Sequence, residues 1–331
     1  MLLEKLSNAS GPSGFEGEVR NIIKEEIKAY VDEIKVDRMG NIIAHKKGTG
    51  KKIVVDAHMD EVGFVIIGFN EDGTMNFQSL GGINNKIIPS KPVFIGENKI
   101  PGVVGLKPIH LQSSEEREKF SYENSCIDIG AKSKAEAKKL VTLGDYAVFD
   151  TKFEVFGEGL LKGKALDDRV GCAVLVDILK ENYSCDLYGV FNVQEETGMR
   201  GAYVSAFNVQ PDLGIALEGT ICADMPNIAE NSRATELRKG PAISIMDSTS
   251  IFDFELVSAI RKLAEKNKIP YQLRKATAGG NDAGAIQASA EGARVVTVSV
   301  PCRYIHSSVS LCSEQDFENT KKLVIEYLKT I

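Results

Sequence analysis

The segment Lys52-Ile53-Val54-Val55-Asp56-Ala57-His58-Met59-Asp60-Glu61 passes from a β-branched apolar run straight into polar groups. Such a run reads as a strand buried on both faces, the form strands take inside a parallel sheet. Its far end presents His58 and Asp60 at the carboxyl terminus of the strand, where open α/β sheets bind ligands. Upstream, Val19, Ile22, Ile23, Ile27, Tyr30 and Val31 recur at helical spacing, and this amphipathic helix reads as the first element of the chain. Asp37-Arg38-Met39-Gly40-Asn41 then marks a turn between two short strands.

Downstream the texture changes twice. From about Phe69 to Asp150, short Val/Ile/Phe stretches alternate with Asp72-Gly73, Gly81-Gly82, Pro89, Pro92, Pro101-Gly102 and Pro108, with one helix-like piece at Ser133–Leu143. Short strands between frequent turn signals predict a small β-rich module. After Thr151 strands and helices alternate again. Leu187–Val193, Leu213–Leu217, Ala242–Met246 and Val295–Val300 read as buried strands; Val170–Leu179, Phe254–Lys266 and Phe317–Leu328 read as helices. Ser313 with Asp316 suggests a capping box before the last helix. The fold class is therefore α/β, a mostly parallel sheet sandwiched by helices. Residues 1–68 and 151–331 form one discontinuous domain, and 69–150 are a small inserted β-rich module.

Composition limits the function. Among 331 residues, 40 Lys and Arg face 46 Asp and Glu, so the net charge of −6 offers no basic face for nucleic acid or anionic lipid. Apolar runs such as Val62–Phe69 fall far short of the ~20 residues of a membrane span. The opening residues lack a signal-peptide core, and a cytoplasmic protein is expected. The six cysteines form no C-x-x-C pair and read as reduced, buried thiols.

Five segments place acids or histidines just after predicted strands: Asp56–Glu61, Lys164–Arg169, Gln194–Gly198, Ala216–Gly219 and Arg303–Ser307. Taken singly, each has a plain structural reading. Asp167 and Asp168 suit a helix N-terminus, Glu195 and Glu196 a solvated turn, and His58 or His306 a satisfied histidine. Glu218 closes an apolar strand and needs a partner there. Together, two histidines and several carboxylates on one rim suit a divalent cation such as zinc, cobalt or manganese, with Asp60 placed to orient the His58 imidazole.

The motifs Asp56–Gly63 (DAHMDEVG), Gly163–Gly171 (GKALDDRVG), Glu195–Gly201 (EETGMRG) and Arg303–Ser307 (RYIHS) resemble metallopeptidase family 42, which includes glutamyl, leucyl and deblocking aminopeptidases, tetrahedral aminopeptidases and proteins labelled "cellulase M". The resemblance runs along the whole chain, through Asn8–Arg20, Lys107–Arg117, Ile127–Ala131 and Gly279–Ile286. It implies a metal-dependent aminopeptidase with two divalent ions per subunit, Zn2+ or Co2+ foremost and Mn2+ compatible. By that resemblance Asp167 bridges the two ions, His58 and Glu218 complete one, and Glu196 and His306 complete the other. Glu195 becomes the general base acting on a water activated by both metals, and Asp60 the carboxylate that supports His58. The implied partners are short peptides with a free N-terminus and further copies of the chain, with dimers formed through the module and built up to a tetrahedral dodecamer. Two positions depart from the family pattern: Glu218, often Asp, and Asn281, where Thr is expected in a Gly-Gly-Thr-Asp turn.

Two other functions compete. The "cellulase M" label suggests an endoglucanase, for which Glu195 and Glu196 could be paired carboxylates. Glycosidase carboxyls stand ~5–9.5 Å apart across a bond, however, and the chain has no Trp to stack sugar rings. A non-catalytic peptide-binding assembly protein on the same scaffold would be expected had one ligand or Glu195 been missing.

Overall fold

A computed structural model describes residues 1–118 and 121–331. Its first element is the helix Leu2–Asn8, which precedes the expected one; seven residues are too few to show a period. The amphipathic helix follows as Gly17–Ile27, burying Val19, Ile23 and Ile27.

Eleven strands build one sheet. At its centre four run parallel in the order Asp186–Asn192, Lys52–His58, Leu213–Ile221, Arg294–Arg303. Residues 53–58 are all buried, as the β-branched run requires. The flanks are antiparallel. Glu33–Val36 and Ile42–Lys46 make a hairpin on one side, joined by the predicted turn, whose Asp37 carboxylate accepts the Met39, Gly40 and Asn41 amides. Ser310–Ser313, Leu160–Gly163 and Glu154–Phe156 extend the other side. Parallel neighbours need long crossover connections, and outside the middle the one further parallel strand pair among the described residues is the short Ala242–Ile243 with Gln272–Leu273. The expected strand at Ala242–Met246 is regular only over Ala242–Ile243.

Helices cover both faces. Leu166–Lys180 lies on one with Leu2–Asn8, Gly17–Ile27 and Glu314–Leu328 packed around it. Arg200–Val209 and Asp282–Gln287 pack together on the other. The strand Leu213–Ile221 shows the division: Gly214 meets Ile286 on one side, and Gly219, of opposite parity, meets Asp167 on the other. The last helix begins after Ser313, but the expected capping box does not form. Ser313 makes no side-chain cap bond, and the Asp316 carboxylate instead accepts the Arg238 and Gly240 amides at 2.6 and 2.8 Å. Two main-chain donors outcompete one reciprocal cap.

The remaining strands close a separate six-stranded barrel in the order Gly63–Phe69, Met75–Leu80, Ser125–Asp128, Ile100–Leu106, Pro92–Ile95, Tyr146–Phe149. Its first strand begins at Gly63, ahead of the change in composition near residue 69. Phe64 packs edge-on against Phe77 and Phe149 inside it, with Met75, Val93, Val104 and Ile127 around them. Met75 and Phe77 point in while Asn76 and Gln78 point out, the alternation of a half-buried strand.

Candidate metal centre

Each central strand ends on the same rim and delivers a polar group to one cleft of about 700 Å³. His58 closes its strand, Glu218 sits near the end of the next, and Glu195 and Glu196 follow Asp186–Asn192. His306 follows Arg294–Arg303, on a loop where both Tyr304 and His306 are left-handed, with φ of 63° and 57°. Asp167 lies at the start of the helix Leu166–Lys180, and the Asp167–Asp168 peptide is cis. All six candidate residues line the cleft, and fully buried Asp60 lies beneath them.

Asp167 stands between the two histidines. Its Oδ1 is 3.6 Å from His58 Nε2 and its Oδ2 is 3.4 Å from His306 Nε2. Glu218 Oε2 is also 3.6 Å from His58 Nε2, and Glu196 Oε2 is 3.7 Å from His306 Nδ1. Glu195 Oε2 lies 3.9 Å from His58 Nε2. In each neutral imidazole the tautomer follows from a carbonyl, which can only accept. His58 Nδ1 faces Asp60 O at 3.2 Å and His306 Nδ1 donates to Gly82 O at 2.7 Å, which leaves both Nε2 lone pairs directed at Asp167. Asp60 is the hub beneath: it takes Ser13 Oγ at 2.6 Å and the Glu195 and Glu196 amides at 2.9 and 3.1 Å.

The electrostatics show a donor set short of positive charge. Burial pushes Glu195 and Glu218 well above the usual carboxyl range and Glu196 up to about 7. Burial also acts on Asp167, but His306 and His58 outweigh it and hold its carboxyl at about 2. Asp167 in turn raises His306 to about 10. Desolvation opposes charge on His58, yet Asp167 and Asp60 lift it well above its ordinary value. Asp167 Oδ1 and Glu218 Oε1 are buried with no hydrogen-bond partner among the described residues. Buried oxygens of this kind are costly unless a cation meets them.

Among the described residues two clusters have donor atoms within 4.8 Å of one another: His58, Asp168 and Glu218, and Asp167, Glu196 and His306. In the first, Asp168 is a weaker donor than its neighbour. Its two oxygens already accept the His58 and Gly171 amides at 3.2 and 3.0 Å, whereas Asp167 Oδ1 is unpartnered.

Several contributors were invisible in the sequence. Gly82, in the barrel's share of the chain, supports His306 through its carbonyl; the Gly81-Gly82 pair signalled only a turn. Gly81, at φ 80°, lies so close that a Cβ there would come within 3.1 Å of Glu196 Cβ. Asp56, Asn192 and Asp282 form a buried layer under the rim, with the Asn192 amide donating to both acids at 3.1 Å. Of the two departures, Glu218 reaches the cluster, and Asn281 caps the helix Asp282–Gln287 by accepting the Ala283 amide at 3.0 Å.

The family of M42 glutamyl aminopeptidases matches the chain over residues 40–323. The chain belongs to the M42 family. A TET aminopeptidase from the archaeon Thaumarchaeota SCGC AB-539-E09 is 36% identical and superposes with a TM-score of 0.96, covering 100% of this chain and 95% of its own. The TET1 peptidase of Pyrococcus horikoshii, described as assembling into a tetrahedron or a large octahedral shell, is 32% identical over 100% of both chains, with a TM-score of 0.89. A Thermotoga maritima protein described as an endoglucanase is 37% identical, with 99% of this chain and 96% of that one covered and a TM-score of 0.83. As an M42 member the chain is an aminopeptidase, a hydrolase of peptide bonds. Among the described residues no helix is long and apolar enough to cross a membrane.

Proposed function

We propose that this M42 aminopeptidase is metal-dependent, with His58, Glu218 and Asp167 holding one divalent ion and Asp167, Glu196 and His306 the other. The observation that carries this reading is Asp167, whose two oxygens face the two imidazoles at 3.6 and 3.4 Å. Two such cations supply a polarised scissile carbonyl and an acidified water. Glu195 then accepts the proton of the attacking water as the new C–O bond forms and returns it to the leaving amine as the C–N bond breaks. Burial favours this role, because it raises the carboxyl above its ordinary range and so makes it a stronger proton acceptor. Asp60 orients His58 and fixes the two glutamates through their amides.

The substrates are short peptides with a free N-terminus, and Zn2+ or Co2+ suits the nitrogen and oxygen donors. Copies of the chain pair through the barrel, which exposes Ile109, Leu111 and Leu143, and pairs build a tetrahedral dodecamer as the basis of the working particle. An endoglucanase is less well supported. Glu195 and Glu196 are adjacent in the chain and lie among imidazoles, not on opposite sides of an open sugar site.

The experiment is a substrate panel. The protein should cleave unblocked aminoacyl amides, stop with chelator and spare N-acetylated peptides. Glu195→Gln should keep its cations and lose about 10²–10⁴-fold in kcat. Metal-independent cleavage of β-glucan without peptide turnover would reverse the assignment.

A further inference from the structure

Three consecutive main-chain N–H groups on the turn that carries Glu195 are held by two buried carboxylates. Glu195 N and Glu196 N donate to Asp60. Gln194 N donates at 3.2 Å to Oε1 of Glu16, a residue 178 positions away in the N-terminal segment. Glu16 is 2% exposed, and the same oxygen accepts the Gly14 amide at 2.7 Å. Its other oxygen lies 4.0 Å from Arg20. Ser13, in the same short segment, donates to Asp60.

Gln194 has φ of 57°, a left-handed conformation that a residue with a Cβ adopts only when its surroundings impose it. Released, it would drift towards an ordinary backbone conformation and turn the next residue with it. That residue is Glu195. Gln194 O is occupied locally, taking the Arg200 amide at 3.2 Å, so the N–H is the end through which a distant element acts. Glu16 is buried and is not among the residues that line the cleft.

We propose that Glu16 is a positioning residue for hydrolysis, clamping Gln194 in its left-handed conformation so that Glu195 faces the reacting centre. This rests on Glu195 being the base. The clamp needs an acceptor oxygen and no charge, so an amide in place of the carboxyl serves as well. A residue that merely anchored the N-terminal segment would behave differently: its loss would act on stability and would leave the turn and the catalytic step as they were.

The test compares Glu16→Ala with Glu16→Gln in the full chain. Steady-state kinetics on an unblocked aminoacyl amide are read beside hydrogen exchange of the peptide spanning Gln194–Glu196, followed by mass spectrometry. In E16A, kcat should fall about tenfold to a hundredfold, as for a misplaced catalytic group. KM should stay within about twofold, cation content should hold, and the Gln194 amide should exchange at least about tenfold faster. E16Q should match the parent in both. Should E16A fail to fold, Glu16→Asp, one carbon too short for the bond, takes its place with the same direction expected. Parent-like kcat and exchange in E16A, or equal damage in E16Q and E16A, would overturn the proposal. The exchange measurement does not depend on Glu195 chemistry. A normal turnover in E195Q would therefore overturn the base and leave the clamp standing as a separate result.

Discussion

The two halves of the proposed metal centre are built differently. His58 is 2% exposed at the end of a central parallel strand, with Asp60 and Glu218 buried beside it. His306 is 41% exposed, sits on a left-handed loop beyond its strand, and leans on a carbonyl of the barrel. The first half is fixed by the sheet core. The second depends on two modules meeting. Burial of a strand on both faces fixes the direction of its last side chain, whereas a loop residue needs an outside partner to hold it. Asp167 faces both halves, with one oxygen 3.6 Å from His58 Nε2 and the other 3.4 Å from His306 Nε2, and in the proposed arrangement its loss would erase the distinction.

The largest effect should therefore come from Asp167→Ala, which empties both sites and lowers kcat/KM by more than about 10³-fold. Metal analysis by mass spectrometry reads it, and retention of one ion per subunit would deny the bridging role.

Next come the two histidines. His58→Ala leaves Asp60, Glu195 and Glu218 crowded without their counter-charge and should cost about 3 kcal/mol of folding stability in metal-stripped protein. His306→Ala, at a half-exposed position, should cost less than about 1 kcal/mol while removing one ion. Urea unfolding beside metal content separates them, and equal destabilisation would erase the contrast between the halves.

The barrel offers a third test. Ile109→Ser with Leu111→Ser should lower the mass seen by light scattering to that of smaller assemblies and leave the His58 half unchanged. An unaltered mass would place the contacts between copies elsewhere.

The smallest expected effect is on pH. Burial holds Glu196 protonated up to about 7, against 4.5 when unfolded. Its contribution to folding stability is therefore present below 4.5 and lost as pH rises through 7. Cation binding must displace that proton and so runs the opposite way, tightening as pH climbs towards 7 and levelling above it. Calorimetric titration at several pH values measures the second trend. Affinity independent of pH between 5 and 7 would mean that Glu196 is not a ligand.

Much of the α/β frame was legible because its signals are local. The run Lys52–His58 shows its double-sided burial in composition alone, and helix period exposed Gly17–Ile27 and Phe254–Lys266. Leu2–Asn8 was not legible, being too short for a period. The Asp37–Asn41 turn announced the hairpin on one flank, but the antiparallel strands of the other flank could not be told from parallel ones, because a buried strand reads the same whichever way its neighbour runs. The Ser313–Asp316 pattern misled for a related reason: a capping box describes two residues, and the structure brought two further donors from Arg238 and Gly240.

The sequence by itself determined the chemistry on offer: two histidines and several acids just after apolar runs, in motifs that resemble those of the M42 family. Side-chain type and strand polarity suffice for that, since both are written along the chain. Only the tertiary structure decided which atoms face one another. Asp167 between two imidazoles, Gly82 O under His306 and Glu16 under Gln194 join residues separated by up to 224 positions. Two of these supports engage main-chain atoms, which every residue carries alike. A carbonyl or an amide acquires a role only from where the fold puts it.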